Sequence, residues 1–223
     1  MNNKDQNKKS FLNSISNLIK ENLKYLIILF AAIFLFFLAY QSYSYYKINK
    51  INKLSISYFT NKNLDDEIFK YSEITKLTNE KGFYSILSKL ELIQNNMNNG
   101  DFDLSLELYD DILNSKSMDN KYVSLVAINA AYNFINIAFK NKNNKYIENI
   151  NRFISLIDDK LDNFIGNKNE LLYLVSILSL NNDSDYKNNS ELLNLYDNMM
   201  SDNNISSSIK ERVKKIHEYY IFI

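Results

Sequence analysis

The hydrophobic positions of this chain follow two patterns, one continuous and one periodic. In the continuous pattern, residues 25–46 carry no charge and lie between Lys24 and Lys47. As a helix, this stretch would extend about 33 Å at 1.5 Å per residue, close to the thickness of a bilayer's hydrocarbon layer. Tyr25 and a cluster of tyrosines at 40–46 mark its two ends, as is typical of interfacial residues. The pattern predicts one transmembrane helix over 25–46.

Two other interpretations of this stretch compete with a membrane span. A buried core helix is disfavoured, because residues 26–38 are apolar on every face and no later segment of the sequence offers apolar surface that could surround them. A cleaved signal peptide is the stronger alternative, because lysines precede the stretch and Ser42 and Ser44 resemble a cleavage site. Five lysines precede the span and four follow it closely, which slightly favours a cytoplasmic N-terminus.

Beyond the apolar stretch, hydrophobic residues recur every three or four positions, which is the spacing of amphipathic helices. The chain has no Pro and only three Gly, and no segment sustains the alternation of a half-buried strand. The pattern predicts an all-α fold with helices over 64–77, 83–97, 101–114, 121–140, 145–161, 170–180, 190–201 and 208–222. The predicted order is a polar tail (1–24), the transmembrane helix (25–46), a membrane-proximal helical connector (47–82) and a helical repeat domain (83–223).

A large aromatic residue recurs along the predicted helices. Tyr109, Phe153 and Tyr196 are 44 and 43 residues apart, each in the second helix of a predicted pair. The segment "LELYDDIL" (106–113) is echoed by "LNLYDNMM" (193–200). A chain rich in Tyr and Phe also produces such spacings by chance. Three helix pairs at one period nevertheless favour stacked helical hairpins.

The stretch "NNGDFDLSLELYDDIL" (98–113) resembles the turn and second helix of a tetratricopeptide repeat (TPR). The matching positions are Gly100, Asp101 and Phe102 at the turn, then Ser105 (small), Tyr109 (aromatic) and Ile112 (buried). The preceding "YSILSKLELIQNNM" departs from the general repeat, because it has no small residue where the two helices should cross. Over 20–140, the order of tail, span, membrane-proximal helix and "LEL" helix resembles the membrane-anchored TPR-like family of ancillary Sec translocon subunits (YfgM-like).

This resemblance implies a single-pass protein of the bacterial inner membrane, with a cytoplasmic N-terminus and a periplasmic C-terminal domain. It also implies an ancillary subunit or chaperone adaptor whose partners are the Sec translocon and periplasmic chaperones or client proteins. An alternative function for the same fold is a TPR-like scaffold or assembly factor for another envelope or cell-division complex.

Composition argues against catalysis and against nucleic-acid binding. Basic and acidic residues number 26 each, so the chain lacks the basic excess of a nucleic-acid binder. It has no Cys, which excludes thiolate metal sites, and His217 is its one histidine. We expect His217 to lie on the surface, and the acid pairs at 65–66, 110–111 and 158–159 to be solvated. The sequence therefore predicts a non-enzyme with no catalytic residue, metal or cofactor.

A stack of helical hairpins offers a concave face lined by the first helix of each pair, which can hold a peptide or a partner helix. Polar and aromatic residues on those faces are the predicted groove residues: Gln94, Asn95, Asn129, Tyr132 and Asn136. The alternative for Tyr132 is ordinary packing.

Overall fold

The structure is a computed structural model that describes the backbone of residues 3–115, 118–180 and 183–222. Within these ranges the side chains of 3–21, 26, 162 and 183–185 are not described, so for most of the predicted tail only the backbone is described. Within the described ranges every regular element is a helix and no strand is present, which confirms the all-α prediction for this part of the chain. The elements are α1 (Asn3–Lys62), α2 (Glu67–Thr78), α3 (Phe83–Asn99), α4 (Phe102–Leu113), α5 (Asn120–Asn141), α6 (Ile147–Ser155), α7 (Asp162–Leu178), a 3₁₀ helix (Asp183–Asn188), α8 (Ser190–Ser201) and α9 (Ser207–Phe222).

The chain divides into two compact units, Met1–Lys70 and Tyr71–Ile223, so the division falls within α2. The first unit consists largely of α1, one helix that covers the predicted tail, the predicted span and part of the predicted connector. Every described residue of 27–40 is exposed. The part of α1 over Asn22–Lys62 is long and apolar enough to cross a membrane, and none of its most apolar window is buried.

The second unit is built from helices that pack against their neighbours in sequence. The pairs α3 with α4, α5 with α6, and α7 with α8 are in contact, and α5 and α9 each also pack on α7. The helix α5 also has the length and hydropathy of a membrane span, but 56% of that window is buried in the domain. We therefore describe α5 as the central core helix of the second unit.

The turn between α3 and α4 forms where the sequence predicts it. Gly100 has the left-handed conformation, with φ at 84°, which a residue with a Cβ adopts at a cost. The backbone N–H groups of Gly100 and Asp101 donate to the carbonyl groups of Met97 and Asn96, at 3.3 and 2.8 Å. These bonds satisfy carbonyls at the end of α3 and reverse the chain into α4.

Two of the three repeating aromatic residues meet in one core. Tyr109 of α4 and Phe153 of α6 are both fully buried, and their ring centroids are 6.0 Å apart. Phe134 of α5 lies 6.2 Å from Tyr109 and 6.0 Å from Phe153, so it completes the aromatic cluster. Such tilted and edge-on ring pairs contribute about 0.5–1.5 kcal/mol each beyond the apolar area they bury.

The third repeating aromatic, Tyr196 of α8, is only half-buried and belongs to a second cluster. In the two echoed segments, Met199 aligns with Ile112, and both of these residues are buried. The echo therefore marks equivalent buried positions of α4 and α8, although its tyrosine does not occupy an equivalent environment.

The predicted helices over 145–161 and 170–180 need correction. The first ends at Ser155, because the chain turns at 156–161, where the Ser124 hydroxyl accepts a hydrogen bond from the Asp158 backbone N–H at 3.0 Å. The second begins at Asp162, eight residues earlier than predicted. Gly166 lies inside α7, and a Cβ there would approach the Ile209 side chain to 2.9 Å. This glycine therefore allows α9 to approach α7 closely.

Candidate protein-interaction site

Two adjoining pockets of about 400 and 300 Å³ lie between α3 and α5. Leu90 of α3 and Leu125 and Val126 of α5 line both pockets, so the two pockets lie side by side. We call this pair of pockets the α3–α5 groove. Other side chains along it are Phe83 and Gln94 of α3, and Tyr122, Asn129 and Asn133 of α5.

One end of the α3–α5 groove is apolar and open to solvent. Phe83 is 60% exposed and Tyr122 is 54% exposed, although both are large aromatic residues. Among the described residues that line the groove, Asp119 is the one that carries a charge. Its carboxylate caps α5 by accepting a hydrogen bond from the Lys121 backbone N–H at 2.8 Å. This end therefore offers mainly apolar contact area, with one carboxylate that is engaged in capping α5.

The other end of the α3–α5 groove is lined by carboxamide side chains. Asn129 accepts a hydrogen bond from the Tyr109 hydroxyl at 2.5 Å, and Asn133 donates to the same hydroxyl at 2.8 Å. Burial raises the pKa of Tyr109 to about 12, so its hydroxyl stays protonated near neutral pH and donates to Asn129. The core tyrosine thus fixes the orientation of two amides at the groove surface.

A second pocket of about 520 Å³ lies between α5, α7 and α9, and we call it the α5–α7–α9 pocket. Tyr132, Asn136, Leu174 and Ile216 are among its lining residues, together with an ion pair between Glu170 of α7 and Arg212 of α9.

Glu170 is 2% exposed and accepts three hydrogen bonds. Arg212 donates from Nε and Nη2 at 2.8 and 2.5 Å, and the Tyr132 hydroxyl donates at 2.6 Å. The hydrogen bonds to Glu170 hold the pKa of Arg212 above its usual range. Burial, together with the hydrogen bond to Glu170, raises the pKa of Tyr132.

The five predicted groove residues do not share one surface. Gln94 and Asn129 line the α3–α5 groove, whereas Tyr132 and Asn136 line the α5–α7–α9 pocket. Asn95 is half-buried on α3 and is not among the described residues that line either space. The sequence pattern placed four of these side chains on pocket-lining faces, but it did not show that α5 contributes to two separate surfaces.

Several lining residues were missed by the sequence analysis. Phe83, Tyr122 and Leu125 appeared to belong to ordinary apolar helix faces, and nothing in the local pattern distinguishes them from core residues. The Glu170–Arg212 pair joins residues far apart in sequence, so periodicity could not have revealed it. The one available signal was the position of Glu170 directly before the apolar run "LLYLVSIL".

His217 does not lie free on the surface as expected. It is half-buried, its Nδ1 atom is 2.5 Å from the Tyr186 hydroxyl, and its ring stacks on Tyr196 with centroids 3.7 Å apart.

The adjacent acids engage separate structural partners. Asp110 pairs with Arg152 of α6, whereas Asp111 pairs with Lys89 of α3. Asp158 caps a turn by accepting from the Lys160 backbone N–H at 2.9 Å. Within the described part of the chain, no group of three or more His, Cys, Asp or Glu residues is placed to hold a metal ion.

Comparison with known proteins returned no match to a family model, a curated protein or a solved structure. The candidate function therefore rests on the chain's own residues and on the resemblance of its 98–113 segment to a TPR turn.

Proposed function

We propose that this chain is a membrane-anchored protein-interaction module whose α3–α5 groove binds an extended segment of a partner protein. The observation that carries the proposal is the composition of that groove, with exposed aromatic side chains at one end and carboxamides at the other. A carboxamide both donates and accepts, so Gln94 and Asn129 can bond the N–H and C=O groups of an extended backbone. The apolar end would hold side chains of the same segment.

The anchor in this proposal is the apolar part of α1. Consecutive side chains such as Phe34, Leu35 and Phe36 lie about 100° apart around the helix, and all are more than half exposed. Removing an exposed side chain of this size from water is favourable by about 1.5–3 kcal/mol, so a bilayer is the environment that suits this helix. Confinement to the membrane raises the effective concentration of the groove near other membrane proteins without adding contacts.

The finer proposal is a TPR-like domain at the bacterial Sec translocon, acting as an ancillary subunit or chaperone adaptor. It is supported by the segment 98–113, by the consecutive packing of helix pairs, and by the burial of Tyr109 and Phe153 against each other. In this proposal the domain lies on the periplasmic side of the inner membrane, and its partners are translocon subunits and periplasmic chaperones or client proteins. The groove needs no cofactor.

The proposal is tested by gentle solubilisation of native membranes, crosslinking and affinity capture of the full-length protein. We expect translocon channel subunits to be recovered. We also expect their recovery to be lost when residues 25–46 are exchanged for an unrelated span of equal length, because a channel subunit must contact its neighbours within the membrane. A matched control carries the same tag and a conservative change outside the apolar stretch, such as Lys62→Arg.

Recovery of envelope-assembly or cell-division proteins instead would retain the anchored module and reject the translocon as its partner. Unchanged recovery of the channel after exchange of the span would mean that the helical domain alone makes the contact. Capture of no partner from native membranes would contradict the interaction function itself.

A further inference from the structure

The C-terminal helix α9 is attached to three neighbouring elements around a single imidazole. The His217 ring stacks on Tyr196 of α8, with an interplanar angle of 10°, and its Nδ1 atom lies 2.5 Å from the hydroxyl of Tyr186 in the 3₁₀ helix. The Tyr186 hydroxyl is in turn 2.5 Å from the hydroxyl of Tyr173 in α7. Tyr173 and Tyr186 are both fully buried. A chain of two hydrogen bonds therefore joins α9 to the interior of the domain.

The number of protons shared by the His217 imidazole and the Tyr186 and Tyr173 hydroxyls determines whether every donor has an acceptor. When the imidazole is neutral and its proton is on Nε2, Tyr173 donates to Tyr186 and Tyr186 donates to Nδ1. Both hydroxyl protons are then used. In the part of the chain that the structure describes, Tyr186 is the one hydrogen-bond partner of the Tyr173 hydroxyl.

When Nδ1 is protonated, the imidazolium and the two tyrosine hydroxyls supply three donors, but only two hydrogen bonds join these groups. If the imidazolium donates to Tyr186, either the Tyr186 or the Tyr173 hydroxyl proton is left without an acceptor. A buried hydroxyl without a partner carries a desolvation penalty. The neutral Nε2–H imidazole is therefore the form that satisfies this part of the interior.

The surroundings of the imidazole ring both lower and raise the pKa of His217. Burial lowers the pKa of His217 below its ordinary value of 6.5, whereas the carboxylates of Asp197 on α8 and Glu218 on α9 raise it. Glu218 is also 3.8 Å from the ammonium group of Lys214 on α9. Tyr196 contributes a ring face that attracts a cation, and Tyr220 of α9 stacks on Tyr186 rather than on the imidazole. The buried hydroxyl chain favours the neutral form against these attractions.

We propose that protonation of His217 weakens the attachment of α9 to the 3₁₀ helix, α7 and α8, and thereby opens the α5–α7–α9 pocket. That pocket depends on α9 because Arg212 and Ile216 form one of its walls. The mechanism does not depend on the proposed partner or on the α3–α5 groove. It makes the second surface of the domain sensitive to acidification.

The sign of the pH effect follows from proton linkage. A histidine whose pKa is lower in the folded state than in the unfolded state binds more protons when α9 detaches. The attachment is therefore strongest above the ordinary histidine pKa, and it weakens as the pH falls below about 6.5 and through the folded-state pKa. Each unit of difference between the two pKa values changes the attachment equilibrium by about tenfold.

The proposal is tested on the full-length protein in detergent micelles or nanodiscs. His217 is the chain's one histidine, so its imidazole signals in ¹⁵N- and ¹³C-edited NMR spectra need no assignment among histidines. We expect the Nε2–H tautomer at neutral pH and a titration midpoint below that of a histidine in a peptide. A midpoint at or above the peptide value, or a dominant Nδ1–H tautomer, would overturn the proposal.

Hydrogen exchange supplies the second measurement. We expect amides of α9 to lose protection between about pH 7.5 and pH 5, after correction for intrinsic exchange. Amides of α4 serve as the reference within the same molecule. The variant His217→Asn keeps an acceptor near the Nδ1 position and does not titrate, so its α9 protection should be independent of pH. An equal loss of protection in His217→Asn would assign the effect to the carboxylates and contradict the proposal.

Discussion

Glu170 brings a negative charge into the interior of the domain, with 2% of its surface exposed. A carboxylate in such a place is tolerated when hydrogen bonds and an opposite charge replace the lost water. Arg212 supplies two of these bonds and Tyr132 supplies the third. The three residues join α5, α7 and α9 at a single point.

Removal of the Arg212 guanidinium leaves the Glu170 carboxylate buried without its counter-charge. For Arg212→Met we expect a loss of about 2–4 kcal/mol in the free energy of unfolding, at the lower end of values for broken buried pairs because Arg212 is itself half exposed. Denaturant titration followed by far-ultraviolet circular dichroism would measure this loss. Lys215→Met is the matched control, because Lys215 and its partner Glu211 are both largely exposed. A loss as small as that of the control would show that Glu170 is well solvated.

At the residue scale the sequence pointed to some of the residues that line the α3–α5 groove and to neither member of the Glu170–Arg212 ion pair. Helical spacing predicts which face of a helix a residue occupies. Gln94 and Asn129 lie on faces that line the α3–α5 groove. Asn95 does not, because it follows Gln94 by one position and therefore points about 100° away around the helix. The pairing of Glu170 with Arg212 depends on how α7 and α9 pack, and local periodicity carries no information about that.

At the scale of the helices, Gly100 determines the α3–α4 hairpin, because it ends α3 and allows the chain to reverse into α4. Gly100 has φ at 84°, and a Cβ added there would meet no atom within 4 Å. The cost of a substitution is thus conformational and not steric.

For Gly100→Ala we expect a loss of about 1 kcal/mol in the free energy of unfolding, because alanine disfavours the left-handed conformation. The neighbouring change Asn99→Ala, in the last turn of α3, should alter stability by less than about 0.5 kcal/mol, as exposed substitutions usually do. Thermal or denaturant unfolding of both variants provides the comparison. If Gly100→Ala were neutral, the turn would have to differ from the one described here.

Helix starts were predicted more accurately for some helices than for others, and side-chain caps do not explain the difference, because α8 has one while α3 and α4 do not. Helices α3, α4 and α8 begin within one residue of the predicted positions. The division between α6 and α7 was misplaced, since Leu156, Ile157 and Leu161 continue the apolar spacing through the turn at 156–161. At Gly166, tertiary packing against Ile205 and Ile209 decides the structure, and that packing is absent from a local pattern.

On the scale of the whole molecule, the contrast is between an apolar helix exposed on every face and a domain with its own core. The continuous pattern at 25–46 was sufficient to predict the first as a helix, because the stretch carries no charge and has no proline or glycine to interrupt it. The periodic pattern was sufficient to predict most helices of the second, and two residues of its 44-residue spacing, Tyr109 and Phe153, lie in one aromatic cluster. The identity of the partner lies in surface chemistry, which amphipathic patterning constrains weakly.

The central claim is that a partner protein occupies the α3–α5 groove, and photo-crosslinking in native membranes tests it most directly. A benzophenone amino acid replaces Tyr122, an exposed aromatic residue of the groove, or, as the control, Glu107, an exposed residue of α4 that lines neither pocket. We predict one discrete crosslinked partner from position 122 and none from position 107. The yield should fall severalfold with Asn129→Ala and persist at high salt, because the groove carries little charge. Equal crosslinking from both positions, or none from position 122, would contradict the claim.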